Sequence, residues 1–436
     1  MCPKPAGGDM NGYRPDITRT AQRSSEQLIA IGAFFALFPG FFFYHTLLGT
    51  GTIGAVLGGY FSPISLLFVL PLAFILYRRC RLPPRHLGTV ELHYATFISY
   101  FLIVIVCNSV AGANLAIVVN HLLCIMFMVN TFIIFSVIDF ASPWFRLTSI
   151  AALAAMSSIA FTYSVNGVFY LGAIGLAKDA DSLATYQGFA RSYLVTFLPV
   201  IAFTRHFALR LALYAMATAT LFVNTARSEF VALLFIIPIV EFYFSRHKLL
   251  FILAAALIFV LLKLFMDQLM AALPDNRILE LVDLAHSTSA NKRQHLSKHA
   301  MHTIMAHPLL GDYASYAPGY YSHNILSAWV DLGIFGFLYL NAILILPAIP
   351  MFLREYFSSR RNNNFILGFG MVCCTVLLLL TSHYFTDMLI GATVGSYAQY
   401  QHRRKYGKYR PPDVSPSASR YADIHQAMPQ HGGART

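Results

Sequence analysis

Charge is scarce in this sequence. Of 436 residues only 11% are Asp, Glu, Lys or Arg, while 57% are hydrophobic. A soluble domain carries roughly 25% charged and about 45–50% apolar residues. The deficit excludes a water-soluble enzyme and a disordered chain. Cysteine is scarce as well. Cys2, Cys80, Cys107, Cys124, Cys373 and Cys374 include no pair at metal-ligand spacing, and none lies in the one long polar loop. A disulfide scaffold is therefore excluded, and the thiols read as apolar fillers or cytoplasmic cysteines. Neither an internal repeat nor a matching second half, as in many two-fold transporters, is visible.

Long apolar runs are what the sequence has instead. At about 20 residues per helical span, this length holds about a dozen. Runs lie near 27–47, 52–77, 92–110, 115–138, 147–172, 192–204, 208–224, 229–245, 248–266, 324–352, 365–382 and 386–400. The expected fold is an all-α polytopic membrane protein of about 12 transmembrane helices. The first run follows a long polar lead with no clean small-x-small cleavage site, so it reads as a retained span rather than a signal peptide. The expected organisation is a cytoplasmic N-terminal segment 1–26, a transmembrane domain 27–400 and a disordered basic cytoplasmic tail 401–436, rich in Pro and Ser.

The connections alternate in charge. Twenty-three of the 31 Lys and Arg fall at the N-terminus, in every second loop and in the tail. The other side holds Lys178, Arg191, Arg227, Lys263, Arg277, Lys292, Arg293 and Lys298. Positive residues stay inside, so both termini are expected in the cytoplasm, and the even number of runs agrees. The net charge of +12 is then a topological signal held against anionic lipid, and nucleic acid is not an expected partner. Most outer loops are short. The exceptions are 173–191 and, above all, 267–323 between spans nine and ten. Long loops carry function more often than short connectors.

Three outer features follow. Arg227, in VNTARSEFVALL, sits at a tight hairpin between two apolar runs. It is an interfacial anchor pairing with Glu229, or an anion clamp whose planar fork suits phosphate. The segment NKRQHLSKHAMHTIMAHPLLG places Leu296, Ala300 and Ile304 at helical spacing, with Arg293 on their face, and Pro308 stops the pattern. Arg293 is a surface anchor or a phosphate ligand. His295, His299 and His302 form a separate stripe, read as a solvated face rather than a metal site. In the third feature, GDYASYAPGYYSHNILSAWVDLGIFGFLYL, a Gly-, Tyr- and Pro-rich stretch leads to His323 and a long apolar helix. Ser322 or Asn324 can cap that helix. The positive end of the macrodipole would keep His323 neutral and able to take a proton; a plain cap or headgroup contact is the other reading. Tyr316, Tyr320 and Tyr321 suit an interfacial belt or sugar stacking.

The string SHNILSAWVDLGIFGFLYL, preceded by HPLLGDY, resembles the O-antigen ligase and Wzy-type polysaccharide polymerase superfamily. There a His-Asn, a Leu and then spaced glycines open the helix after the large periplasmic loop. The family also has about twelve spans, with that loop between spans nine and ten. The resemblance is specific over about 290–345, looser over 190–240 and architectural elsewhere. It implies an inverting glycosyltransferase of the bacterial inner membrane that uses a polyprenyl-pyrophosphate-linked oligosaccharide and needs no metal or other cofactor. By position, His323 resembles the general base on the acceptor hydroxyl. Arg227 and Arg293 resemble the arginines that hold the pyrophosphate leaving group, with Arg191 a weaker member. Asn324 matches the motif as a cap, and Tyr320 and Tyr321 would support the site.

The expected activity is polymerisation of lipid-linked repeat units at the periplasmic face. Its partners are the lipid-linked glycan, a glycan acceptor, membrane lipid and a chain-length regulator. The alternative is ligation of the glycan to lipid A core. A transporter or flippase is the rival from another class, but transporters place ionisable groups at mid-membrane. Here Asp331 and Glu241 come nearest to that, and Asp331 lies two turns beyond His323 on about the same face. A hydrolase of lipid pyrophosphate would need a second nucleophile or base, and no convincing set is evident.

Overall fold

The computed structural model describes residues 17–57, 59–81, 88–169, 186–272, 276, 278–279, 288–317, 320–358 and 360–406. The expectations for residues 1–16, for most of the outer loop 173–191, for parts of the loop 267–323 and for the tail beyond 406 lie outside the described residues. Among the described residues there are helices and no strand. In chain order they are α1 (Ile17–Leu37), α2 (Pro39–Gly49), α3 (Phe61–Arg81), α4 (Thr89–Val110), α5 (Leu115–Val137), α6 (Pro143–Thr162), α7 (Tyr186–Phe203), α8 (Phe207–Val223), α9 (Arg227–Phe244), α10 (Lys248–Leu264), α11 (Met266–Ala272), α12 (Thr288–Ala306), α13 (Leu326–Met351), α14 (Asn363–Thr381) and α15 (Leu389–Tyr406).

A helix lies over each of the twelve apolar runs, and seven helical segments are long and apolar enough to cross a membrane. This is the build of a polytopic helical membrane protein. The seven are Ser25–Gly49 (bent where α1 meets α2 at Pro39), α3 to α6, α13 with a π-helical continuation to Tyr356, and α14. The other five differ for visible reasons. α8 and α10 have 17 residues each. α9 carries Arg227, Glu229 and Glu241. α7 and α15 are sunk in the bundle, with Ser192, Thr196, Thr393, Ser396 and Gln399 all buried. Helices that face other helices rather than lipid can be small and polar.

Several boundaries differ from the apolar runs, among them the end of α6 at Thr162, ten residues before its run ends at 172. α3 starts at Phe61, because Gly51 sits at φ +70° among turns that fill the stretch before it. α1 starts at Ile17, so the polar N-terminal segment is partly helical. α7 starts at Tyr186, which puts Arg191 inside the helix. Arg293 lies within α12, as its place on the face of Leu296 and Ala300 suggests. Polar and basic residues propagate helices well but do not show as hydropathy.

The centre of the bundle is α15 laid against α5. Gly391 and Gly395, four apart, make the approach close: a Cβ at Gly391 would lie 2.0 Å from the Met128 carbonyl oxygen, and one at Gly395 2.4 Å from that of Phe132. Small residues at this spacing let helix backbones touch. Thr131 adds a hydrogen bond from its hydroxyl to the Met388 carbonyl at 2.9 Å, and Thr375 and Thr393 pair at 2.7 Å.

α13 is broken. Gly333 adopts φ 68°, ψ −177° inside it, which frees backbone groups on both sides. The segment before the helix takes them up: Asp312 donates its N–H to the Val330 carbonyl at 2.7 Å, and Ile334 donates to Leu309 at 3.2 Å. Only glycine fits, since a Cβ at Gly333 would meet the Leu309 oxygen at 2.2 Å. α12 packs Ala300 and Ile304 on Val330 of this helix. The turns preceding α13 are thereby fastened to its first half.

Gly391→Val is expected to destabilise the fold by roughly 1–3 kcal/mol through overpacking. Gly370→Ala on α14, whose Cβ would meet nothing within 4 Å, is expected to be neutral or slightly stabilising. Thermal unfolding of the detergent-purified variants checks both.

Candidate active site

A cavity of about 350 Å³ lies between α2, α3, α5, α7 and two turns, 320–325 and 382–388. Phe38, Phe41, Phe61 and Phe127 give it an apolar lining. Arg191, Tyr321, His323, His383 and Asp387 give it an ionisable one. An adjoining void of about 20 Å³ shares Tyr321 and Tyr384 and reaches Tyr316, Tyr320 and Asp331.

Four charged side chains form a row that runs inward from this lining, with Arg191, Asp387 and His383 on it and Glu229 fully buried behind them. Arg191 Nη2 on α7 pairs with Asp387 Oδ2 at 3.0 Å. His383 Nδ1 meets the same carboxylate at 2.7 Å, and its Nε2 meets Glu229 Oε1 of α9 at 3.0 Å. Ser228 donates its hydroxyl to the other oxygen of Glu229 at 2.9 Å. The Leu389 N–H, in the first turn of α15, donates to Asp387 Oδ1 at 2.9 Å. Burial opposes charge at both members of the central pair. For His383 the Asp387 carboxylate and then Glu229 override it, and the imidazole is pushed up to about 9. For Asp387, Arg191 and then His383 hold the carboxyl well below the usual carboxylate range.

His323 stands three residues before α13, in a turn, with its ring centroid 4.6 Å from that of Tyr321. Burial lowers its pKa first, then the charges of Arg293 and of His383. Local burial and neighbouring cations therefore favour the neutral imidazole. Asn324 ties the turn down. Its Oδ1 accepts from the Leu326 N–H at 3.0 Å and from the Ser322 hydroxyl at 2.7 Å, and its Nδ2 donates to Ser297 of α12 at 3.0 Å.

Beyond the turn, Asp331 is fully buried beside the break in α13. It accepts from the Ala314 N–H at 3.0 Å and from the Tyr384 hydroxyl. Tyr384 also bonds Tyr316, and it meets His121 Nε2 at 3.1 Å, while His121 Nδ1 meets Tyr313 at 2.9 Å. Ala314 holds φ 58°, a left-handed conformation that costs a non-glycine residue roughly 1–2 kcal/mol and that aims its N–H at Asp331. This network seats the loop before α13 on α5 and on the 382–388 turn.

Of the residues singled out in the sequence, His323, Arg191 and Tyr321 line the cavity together. Arg293 lies close enough for its charge to act on His323, and its guanidinium donates to the Thr381 carbonyl at 3.2 Å. Arg227 opens α9, two residues before Glu229, just after Thr225 turns the chain at φ 64°. It is half-buried and outside the cavity lining. Tyr320 is 69% exposed and reaches only the smaller void. Glu241 belongs elsewhere: it pairs with Arg210 at 2.5 Å and with Tyr214 at 2.7 Å near the far end of α9. Among the described residues no three His, Cys, Asp or Glu converge in a way that could hold a metal ion.

Sequence reasoning missed His383, Tyr384 and Asp387. The signal was present in TSHYFTDM, where a His and an Asp four residues apart interrupt a nearly uncharged stretch between two spans.

Asp387→Asn would leave Arg191 and His383 without their shared counter-ion and is expected to cost about 3 kcal/mol. The stabilisation from ionised His383 is complete below its ordinary value of about 6.5 and is lost as pH rises through about 9. Thermal unfolding between pH 6 and 10 should show the wild type losing stability across that window. Asp387→Asn should start lower and fall at lower pH.

No family model and no curated protein matches this chain.

Proposed function

We propose that the chain is a twelve-span protein of the bacterial inner membrane with both termini cytoplasmic. In this reading it is an inverting glycosyltransferase that polymerises polyprenyl-pyrophosphate-linked oligosaccharide repeat units at the periplasmic face. The observation that carries the reading is the shared cavity. A guanidinium with donors to spare, a neutral imidazole and a set of phenyl rings line one space. These are the three chemistries that a prenyl diphosphate sugar and its acceptor require.

The reaction follows from those groups. An acceptor hydroxyl attacks the anomeric carbon from the face opposite the diphosphate. The new C–O bond forms as the bond to the phosphate oxygen breaks, and the diphosphate leaves with the electron pair. His323 takes the hydroxyl proton, a contribution of about 10²–10⁴-fold. Arg191, supported by the nearby charge of Arg293, meets the charge developing on the leaving group, on the order of a few kcal/mol per well-placed donor; Arg227, outside the cavity lining, takes no direct part. Guanidinium charge can take the part that a divalent ion plays in many soluble glycosyltransferases. The phenyl lining suits the first prenyl units. A ligase would run the same chemistry with lipid A core as acceptor.

A second reading, a transporter of lipid-linked sugar, draws on the break in α13 and on Asp331 buried beside it. Discontinuous helices with buried charge are common at transporter binding sites.

His323→Ala is expected to lower polymer formation by 100-fold or more and to let lipid-linked repeat units accumulate, with the protein still in the membrane. A transporter would keep polymer length and yield unchanged in that variant. In the wild type, activity should fall as the medium becomes acidic enough to protonate His323. The acid limb of kcat/KM is expected below pH 6.5, because burial and the nearby cations depress this imidazole. An acid limb above 6.5 would remove His323 as the base.

A further inference from the structure

We propose that His383 is a positioning residue for the diphosphate: a fixed imidazolium counter-ion that lets Arg191 hold a phosphate group next to a buried carboxylate. The inference rests on the glycosyltransferase reading above and assigns a part to a side chain which that mechanism leaves unused.

The geometry of the ring carries the argument. Both of its nitrogens face carboxylate oxygens, Asp387 at 2.7 Å and Glu229 at 3.0 Å. An ionised carboxylate only accepts hydrogen bonds, so both ring nitrogens must donate, and only the doubly protonated ring does so. The row Arg191, Asp387, His383, Glu229 is then two cations and two anions, with no net charge. A diphosphate can approach Arg191 without meeting uncompensated negative charge. Remove the ring proton and the same row carries one excess negative charge at the cavity lining, which repels the ligand.

Arg191 has capacity left for that ligand. It places Nη2 on Asp387, and its Nε is buried with no hydrogen-bond partner among the described residues. The side chain is 26% exposed, while Asp387 is 5% exposed, so the guanidinium is the member that reaches the cavity. Among the described residues, other charged or titratable groups around the row are His323 from the turn before α13, on which His383 and Arg293 both act, Cys374 from α14 beside Glu229 and Asp387, and Cys124 from α5 beside Asp387 and Arg191. Tyr321, also at the cavity, is pushed up by burial.

The test uses the full chain in nanodiscs, with farnesyl diphosphate as the probe for head and prenyl tail and inorganic pyrophosphate for the head alone. Calorimetry gives the affinity of both at pH 7, and of farnesyl diphosphate from pH 7 to 10.5. Wild-type affinity is expected to fall tenfold or more as pH rises through about 9. His383→Gln should weaken both probes tenfold or more at pH 7 and flatten the pH dependence. Glu229→Gln keeps the ring but removes one carboxylate, and should move the alkaline fall about one pH unit lower. A structural role for His383 predicts no such displacement. If His383→Gln fails to fold, the wild-type and Glu229→Gln series decide, and a flat wild-type profile overturns the inference.

Unchanged affinity and pH dependence in His383→Gln would also overturn it. The glycosyltransferase reading would still stand if His323→Ala bound farnesyl diphosphate normally yet made no polymer. A wild type that binds neither probe would sink both.

Discussion

Backbone contact between α5 and α15 is the constraint on which the site depends. Two glycines four residues apart bring the helices to a distance that no Cβ permits, and Thr131 locks the pair through the Met388 carbonyl. Met388 immediately follows Asp387. The contact that closes the bundle core therefore also fixes the turn that holds His383 and Asp387 at the cavity. The ionic row inherits its precision from packing, because a shift of α15 along α5 would carry Asp387 away from Arg191.

A second constraint comes from the break in α13. In an apolar surrounding every freed backbone group needs a partner, and the chain supplies its own through residues 309–312. Those bonds, with the Asp331 network, hold the stretch before α13 on the bundle. His323 thus sits on a loop that is anchored on both sides: by Asn324 and Ser297 to α12, and by Tyr321 packed at a tilt against Tyr384, 4.3 Å between ring centroids. Catalytic geometry borne on loops needs such support to stay fixed.

Much of the fold was legible because lipid imposes one dominant signal. Each apolar run carries a helix. What hydropathy did not show were the polar ends, so Arg191 reads as a loop residue and lies in a helix. It also undervalued α7 and α15, whose surroundings are other helices. The site was legible where chemistry is concentrated in a short string, as at Tyr321, His323 and Asn324. The remainder depends on juxtaposition. His383 follows His323 by 60 residues, and Glu229 precedes it by 154, so nothing local in the chain joins them. Glu229, a neighbour of Arg227 in the chain, turns inward to His383.

The mixed lining of the cavity sorts its occupants. Four phenyl rings and an ionic row enclose one volume, so an amphiphile can satisfy both at once. A wholly polar solute, such as a nucleotide-linked sugar, would leave the rings against water, a penalty of about 25 cal/mol for each Å² of apolar surface that stays wet. A detergent-like molecule without a charged head would lay apolar surface against the ionic row. Discrimination between amphiphilic and wholly polar ligands would then be set by the walls themselves.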